Sequence, residues 1–132
     1  ATVKNHIATR ELIEMLGSNR FVYHGFTEFY LEGKWVKATP AFNSELCRIH
    51  RVNPLEFDGR EDSIFYQYTL DENRYMEYLE YHGSYADVPV DIILEAWKQE
   101  YGRERVEMWI EAFESGAMDD HPKFEDEEVI ET

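Results

Sequence analysis

The sequence is poor in cysteine and in basic side chains, and each shortage excludes a class of protein. With one cysteine in 132 residues the chain cannot form an internal disulfide, and it fits a reducing compartment. Lysine and arginine number 13 against 28 aspartates and glutamates, and the net charge of −15 would repel a nucleic-acid backbone. No apolar run approaches the roughly 18 residues that a membrane span requires. We therefore expect a cytoplasmic protein that binds neither nucleic acid nor membrane.

Apolar and aromatic residues are plentiful, at 43% and 15% of the chain, which is typical of one globular domain with its own core. The spacing of apolar residues, the capping residues and the turn residues predict a mixed architecture. Helices are predicted over residues 9–17, 44–52, 89–101 and 105–115. Strands are predicted over residues 21–31, 34–40, 64–69 and 74–82. We expect an α+β fold in which helices flank a short antiparallel sheet, with the last two helices as a C-terminal extension.

The end of the chain has a different composition. Acidic residues dominate from Ala117 onward, and Lys123 is the single basic residue there. Such a segment is typical of a solvated, disordered tail. The predicted organisation is therefore a domain over residues 1–116 and an acidic, disordered tail over residues 117–132.

The stretch VYHGFTEFYLEGKWVKATP, residues 22–40, predicts a β-hairpin that turns at Glu32-Gly33. With a two-residue loop, one face of the hairpin carries a histidine, and His24 and Thr39 become diagonal neighbours within hydrogen-bonding range. A three-residue loop with Gly33 as a bulge would instead move Thr39 to the other face. In the first register the shared face holds His24, Phe26, Glu28, Tyr30, Trp35, Lys37 and Thr39.

A histidine inside a strand admits two interpretations. An imidazole that a neighbouring acceptor orients is half of a system that activates a nucleophile, the other half being a thiol or a hydroxyl. A single histidine on an amphipathic strand is also typical of a half-buried structural residue. For metal binding, His50 and His82 lack ligand spacing such as HxxxH and are interpreted as solvated, so no metal and no cofactor is predicted.

The hairpin resembles the histidine hairpin of the transglutaminase-like superfamily. That pattern has a histidine, an aromatic residue two places later, a polar residue at the fourth place, a glycine turn, a tryptophan, and an Asp-Pro pair. AFNSELCRIHRVNPLEFDGREDSIF and YMEYLEYHGSYADVP are similar to a bacterial branch of the same group, so the resemblance covers most of residues 5–101. The pattern's places are held here by His24, Phe26, Glu28, Gly33, Trp35 and Pro40.

The resemblance implies a partial transglutaminase-like, cysteine-proteinase-like fold in which His24 is the catalytic base. Thr39 stands in the place of the aspartate, and a hydroxyl can fix the imidazole but cannot stabilise its charge. Asn43 is a further candidate to orient the ring, and Glu28 would supply negative charge. Phe26 and Trp35 are assigned to contact a peptide or protein substrate.

The family's nucleophile is a cysteine that precedes the histidine strand, and this sequence has none there. Cys47 follows the hairpin, lies in the apolar stripe of its helix, and is interpreted as a core residue. The expectation is that the chain is the C-terminal part of a longer thiol-dependent acyltransferase or hydrolase, inactive alone and able to dimerise through surface that truncation exposes. The alternative is a non-catalytic binding domain that keeps the fold, which the threonine at position 39 favours.

Overall fold

A computed structural model describes residues 1–117 and 123–132, which form seven strands and four α-helices. The strands are β1 (Thr2–Asn5), β2 (Ile7–Thr9), β3 (Arg20–Phe21), β4 (Thr27–Leu31), β5 (Lys34–Ala38), β6 (Met76–Glu80) and β7 (Val129–Glu131). The helices are α1 (Arg10–Leu16), α2 (Ser44–His50), α3 (Val90–Tyr101) and α4 (Arg103–Glu114).

The strands form three small antiparallel sheets, so the predicted α+β class is confirmed, while the transglutaminase-like fold within that class stays a prediction. β1 lies between β3 and β6, β2 pairs with β7, and β4 pairs with β5. No helix in the described ranges is long and apolar enough to cross a membrane.

The core lies between the central sheet and α2. β1 contributes Val3, whose side chain is almost fully buried, and rings from the segment before β6 complete the packing. Burying an aliphatic or aromatic side chain contributes roughly 1.5 to 3 kcal/mol, so a few such residues decide whether the domain folds. The buried cluster consists of Val3, Cys47, Val52, Phe65, Tyr75 and Met76.

The ends of the first two helices follow from local chemistry. The Thr9 hydroxyl accepts a hydrogen bond from the Leu12 amide, and Gly17 ends α1 with a left-handed φ of 67°. Asn43 caps α2 in the same way. That helix ends at His50, before the predicted residue 52, because Arg51 adopts a left-handed φ of 57°.

The hairpin has the predicted two-residue register, in which Leu31 faces Lys34 and Tyr30 faces Trp35. Glu32 and Gly33 take φ of 48° and 84°, as this tight turn requires, so the bulged alternative is wrong. The first strand, however, begins at Thr27 and not at residue 21.

The predicted strand is interrupted before the hairpin. Arg20–Phe21 pairs with β1 as the separate strand β3, and Tyr23 then adopts a left-handed φ of 58°. His24 therefore lies in an irregular segment ahead of β4, outside the ladder, which ends at the pair of Thr27 and Ala38. The strand predicted over residues 64–69 is also wrong, since this region makes only isolated bridges at Ser63 and Tyr68. The strand predicted over residues 74–82 is confirmed in the shorter form of β6.

The acidic end of the chain differs from the predicted tail. Phe124–Asp126 forms a 3₁₀ helix, and β7 (Val129–Glu131) pairs with β2. Arg10 donates to the Glu128 carboxylate at 2.8 Å beside this ladder. The segment pairs with the edge of β2 and carries apolar residues at positions 129 and 130. These contacts stabilise the strand more than the repulsion among its acidic neighbours destabilises it. The remainder of the predicted tail, residues 118–122, lies outside the described residues.

Deleting residues 123–132 should destabilise the domain, because the β2–β7 ladder and the Arg10–Glu128 ion pair are lost together. We expect the free energy of unfolding in urea to fall by about 2 to 4 kcal/mol. Glu131→Gln, which keeps the ladder and changes an exposed side chain, should shift the same quantity by less than about 0.5 kcal/mol. A truncated chain as stable as the intact one would contradict this strand pairing.

Candidate functional site

His24 lies on the wall of an open cleft of about 680 Å³. One side of the cleft is formed by the hairpin and the segment leading into it, with His24, Phe26, Thr27, Glu28 and Trp35. Residues 82–89, between β6 and α3, form the other side, and Ala1 lies between the two.

The predicted contact between His24 and Thr39 is confirmed, although His24 is not part of the ladder. His24 Nε2 lies 3.2 Å from Thr39 Oγ1. Backbone bonds hold both residues: the His24 amide donates to the Ala1 carbonyl at 2.7 Å, and the Thr39 amide donates to the Ser63 carbonyl at 2.9 Å. The imidazole also packs against the Phe65 ring, 5.2 Å between centroids. The ring is thereby fixed at both its polar edge and its face.

The His24 imidazole is neutral at pH 7. Burial lowers its pKa to about 4. A neutral imidazole has one nitrogen that donates and one that accepts. The Thr39 hydroxyl can accept a hydrogen bond from a protonated Nε2 or donate one to an unprotonated Nε2. The site therefore holds a proton acceptor and not a cation.

The other predicted hairpin residues reach the same cleft. Glu28 accepts a hydrogen bond from the Ser84 hydroxyl, which links the two walls. The Lys37 ammonium lies over the rings of Phe26 and Tyr81, at 5.5 and 5.0 Å from their centroids. Trp35 is 67% exposed and offers its ring to whatever enters the cleft.

Asn43, in contrast to the prediction, is not brought to His24. Its side-chain oxygen accepts from the Leu46 amide at 2.9 Å as the cap of α2, and its side-chain nitrogen donates to Glu125 at 2.6 Å. Both ends of the amide are thus engaged at the start of a helix. Its role is to begin α2 and to hold the acidic C-terminal segment.

The second wall carries a histidine that sequence reasoning missed. His82 Nε2 lies 2.8 Å from Thr2 Oγ1, and its ring stacks on Tyr23 with 4.3 Å between centroids. The Tyr85 hydroxyl donates to the His82 carbonyl at 3.2 Å. Its interpretation as a solvated histidine is wrong, because β1 brings Thr2 beside the end of β6. The signal that could have found it is a His-Gly pair directly after a strand.

Cys47 is a core residue, as predicted. It is buried, its thiol donates to the Phe42 carbonyl at 3.7 Å, and burial raises its pKa. Within the part of the chain that the structure describes, no three His, Cys, Asp or Glu side chains come close enough to hold a metal ion.

Comparisons with protein-family models, with curated proteins and with solved structures found no match to this chain.

The depressed pKa of His24 should make the domain less stable in acid. Because the folded pKa of about 4 lies below the unfolded value of about 6.5, the unfolded chain binds this proton first. Stability attributable to His24 is complete above pH 6.5 and is lost as the pH falls toward 4. The free energy of unfolding of both proteins should fall between pH 7 and pH 4.5. For His24→Gln the fall should be about 2.5 kcal/mol smaller than for the native sequence.

Urea denaturation at the two pH values measures this difference, and the imidazole resonances of His24 give its titration directly. A midpoint near 6.5 for those resonances would contradict the buried, neutral ring.

The thiol of Cys47 should be inert in the folded chain. At pH 7 we expect no reaction with a disulfide reagent until urea unfolds the protein, because the reactive thiolate is disfavoured and shielded. Cys47→Ser should lower the unfolding free energy by about 1 to 3 kcal/mol, since a hydroxyl enters an apolar core. Rapid labelling in native buffer would show that the thiol is accessible.

Proposed function

We propose that this chain is the histidine-bearing part of a transglutaminase-like site, in a protein that carries out thiol-dependent acyl transfer or amide hydrolysis. The observation that supports this most directly is the bond between His24 Nε2 and Thr39 Oγ1 on the wall of an open cleft. The two residues occupy the base and orienter places of the family pattern. Phe26, Glu28 and Trp35 line the same cleft, as expected for groups that contact a substrate.

The proposed chemistry uses the neutral state of the imidazole. With Nε2–H donating to Thr39, Nδ1 carries the lone pair that accepts a proton from the attacking thiol. The sulfur forms a bond to the carbonyl carbon of the substrate, and the C–N bond then breaks as His24 returns the proton to the departing amine. An amine or water then attacks the thioester and loses its proton to His24, and the C–S bond breaks as the ring returns that proton to the sulfur, which restores the thiol.

The nucleophile in this scheme lies outside residues 1–132. Cys47 is excluded from the role because its sulfur is buried in the core and bonded to Phe42. We accordingly expect residues 1–132 to be inactive by themselves.

The test is an assay of the full-length gene product with a glutamine-containing peptide and a fluorescent primary amine. His24→Gln should reduce amine incorporation at least about a thousandfold, because the proton has no acceptor. Thr39→Val should reduce it less, and Thr39→Asp should retain or raise it, since a carboxylate stabilises the imidazolium. The native level of incorporation in His24→Gln would overturn the base assignment.

A non-catalytic binding domain is the second candidate, and the uncharged hydroxyl of Thr39 favours it. That function predicts a full-length product that incorporates no amine while a peptide still shifts the resonances of cleft residues. The activity assay and the resonance shifts therefore separate the two functions.

A further inference from the structure

Two side chains of α3 hold the backbone of the segment that leads to His24. Trp97 and Tyr101 are half-buried and lie about one helical turn apart on this helix. The Trp97 indole Nε1 donates to the Val22 carbonyl at 2.7 Å, and the Tyr101 hydroxyl accepts from the Val22 amide at 2.8 Å. The same hydroxyl donates to the Arg20 carbonyl at 2.9 Å. These three hydrogen bonds, the α3 clamp, fix both backbone groups of Val22.

The residue after the clamp has an unfavourable backbone conformation. Tyr23 has a φ of 58°, in the left-handed region that a bulky side chain rarely adopts. Such a conformation persists only where the surrounding contacts fix it, and it is typical of functional sites. Here the clamp fixes Val22 on one side, and on the other side the backbone of His24 pairs with Ala1 in both directions. The Tyr23 ring also stacks on His82, with 4.3 Å between centroids.

The left-handed turn determines where the imidazole lies. His24 follows the turn directly, and from there its ring packs on Phe65 and reaches Thr39. The alternation along residues 21–31 favours one continuous strand, in which Tyr23 would have a negative φ. The α3 clamp opposes that alternative, because it holds the backbone at the start of the turn.

We propose that Trp97 and Tyr101 are positioning residues for His24 and that they act by holding the backbone of Val22. Both lie outside the set of residues that line the cleft, so they act through the backbone and not on a substrate. Their meaning for catalysis rests on the proposed function. The clamp itself is a property of residues 1–132 and is measured without a substrate.

Tyr101→Phe removes the hydroxyl and keeps the ring. In the isotope-labelled chain we expect the titration midpoint of His24 to rise from about 4 by at least about one pH unit, because the ring can leave its buried position. Contacts between the His24 and Phe65 rings in nuclear Overhauser spectra should weaken. Trp97→Phe, which removes the indole donor, should act in the same direction.

The matched control is Tyr66→Phe, which removes a hydroxyl from an exposed ring outside the cleft and should leave the His24 midpoint unchanged. Hydrogen-exchange protection of the amides of β1 and β6 shows that each variant is folded. The native midpoint in both Tyr101→Phe and Trp97→Phe would overturn the clamp.

The turn is tested by two substitutions that remove the same ring contact with His82. Asparagine tolerates a positive φ, whereas the β-branched side chain of valine does not. Tyr23→Asn should therefore keep the His24 midpoint within about half a pH unit of the native value, and Tyr23→Val should raise it by at least about one unit. Equal midpoints in the two variants would show that the left-handed turn does not position the ring.

An activity measurement on the full-length gene product separates this inference from the proposed function. Tyr101→Phe should lower kcat about tenfold to a hundredfold and leave KM within about twofold, because the base is misplaced while the cleft keeps its lining. A raised His24 midpoint with the native kcat would overturn the positioning role. If the native full-length product incorporates no amine, the proposed function fails, and the His24 midpoints still decide the clamp.

Discussion

The pairing of the first strand with its neighbours is the constraint on which the cleft depends. β1 lies between β3 and β6, and Val3 in its middle is buried in the core. The residues just before Val3 hold the two walls: Ala1 pairs with the backbone of His24, and the Thr2 hydroxyl bonds His82. One short strand therefore contacts both walls of the cleft, and the Glu28–Ser84 hydrogen bond joins the walls a second time.

The local features of the fold could be read from the sequence, and the non-local ones could not. A Glu-Gly turn with strand residues on both sides predicts the hairpin in two registers, of which the structure has the two-residue one. The capping residues at positions 43 and 44 predict the start of α2. The predicted strand is interrupted at Tyr23 because Arg20–Phe21 pairs with β1. The residues of the hairpin alone do not indicate this pairing, because β1 lies elsewhere in the sequence. The same limit applies to β7, whose partner β2 lies at the opposite end of the sequence.

The candidate site shows the same division. His24 and Thr39 were placed together by the correct turn, yet the ring reaches Thr39 from an irregular segment that backbone bonds to Ala1 hold in place. Phe26, Glu28 and Trp35 follow from alternation along the strands. His82 was missed because its partner Thr2 is distant in the chain. Asn43 was misassigned because a residue that follows Thr39 closely in sequence need not lie beside the His24 ring, and its side chain caps α2 instead.

The electrostatics of His24 favour one form of thiol chemistry over another. A preformed thiolate–imidazolium pair needs an imidazole pKa above that of the thiol, but burial lowers the pKa of His24 to about 4. A neutral hydrogen-bond partner such as Thr39 does not raise the lowered pKa of His24, whereas the negative charge of an aspartate would raise it. A thiol that meets this ring would thus keep its proton in the resting state and transfer it only during attack. Under the proposed function, general-base catalysis by a neutral imidazole is consequently the mechanism that agrees with both a buried ring and an uncharged partner.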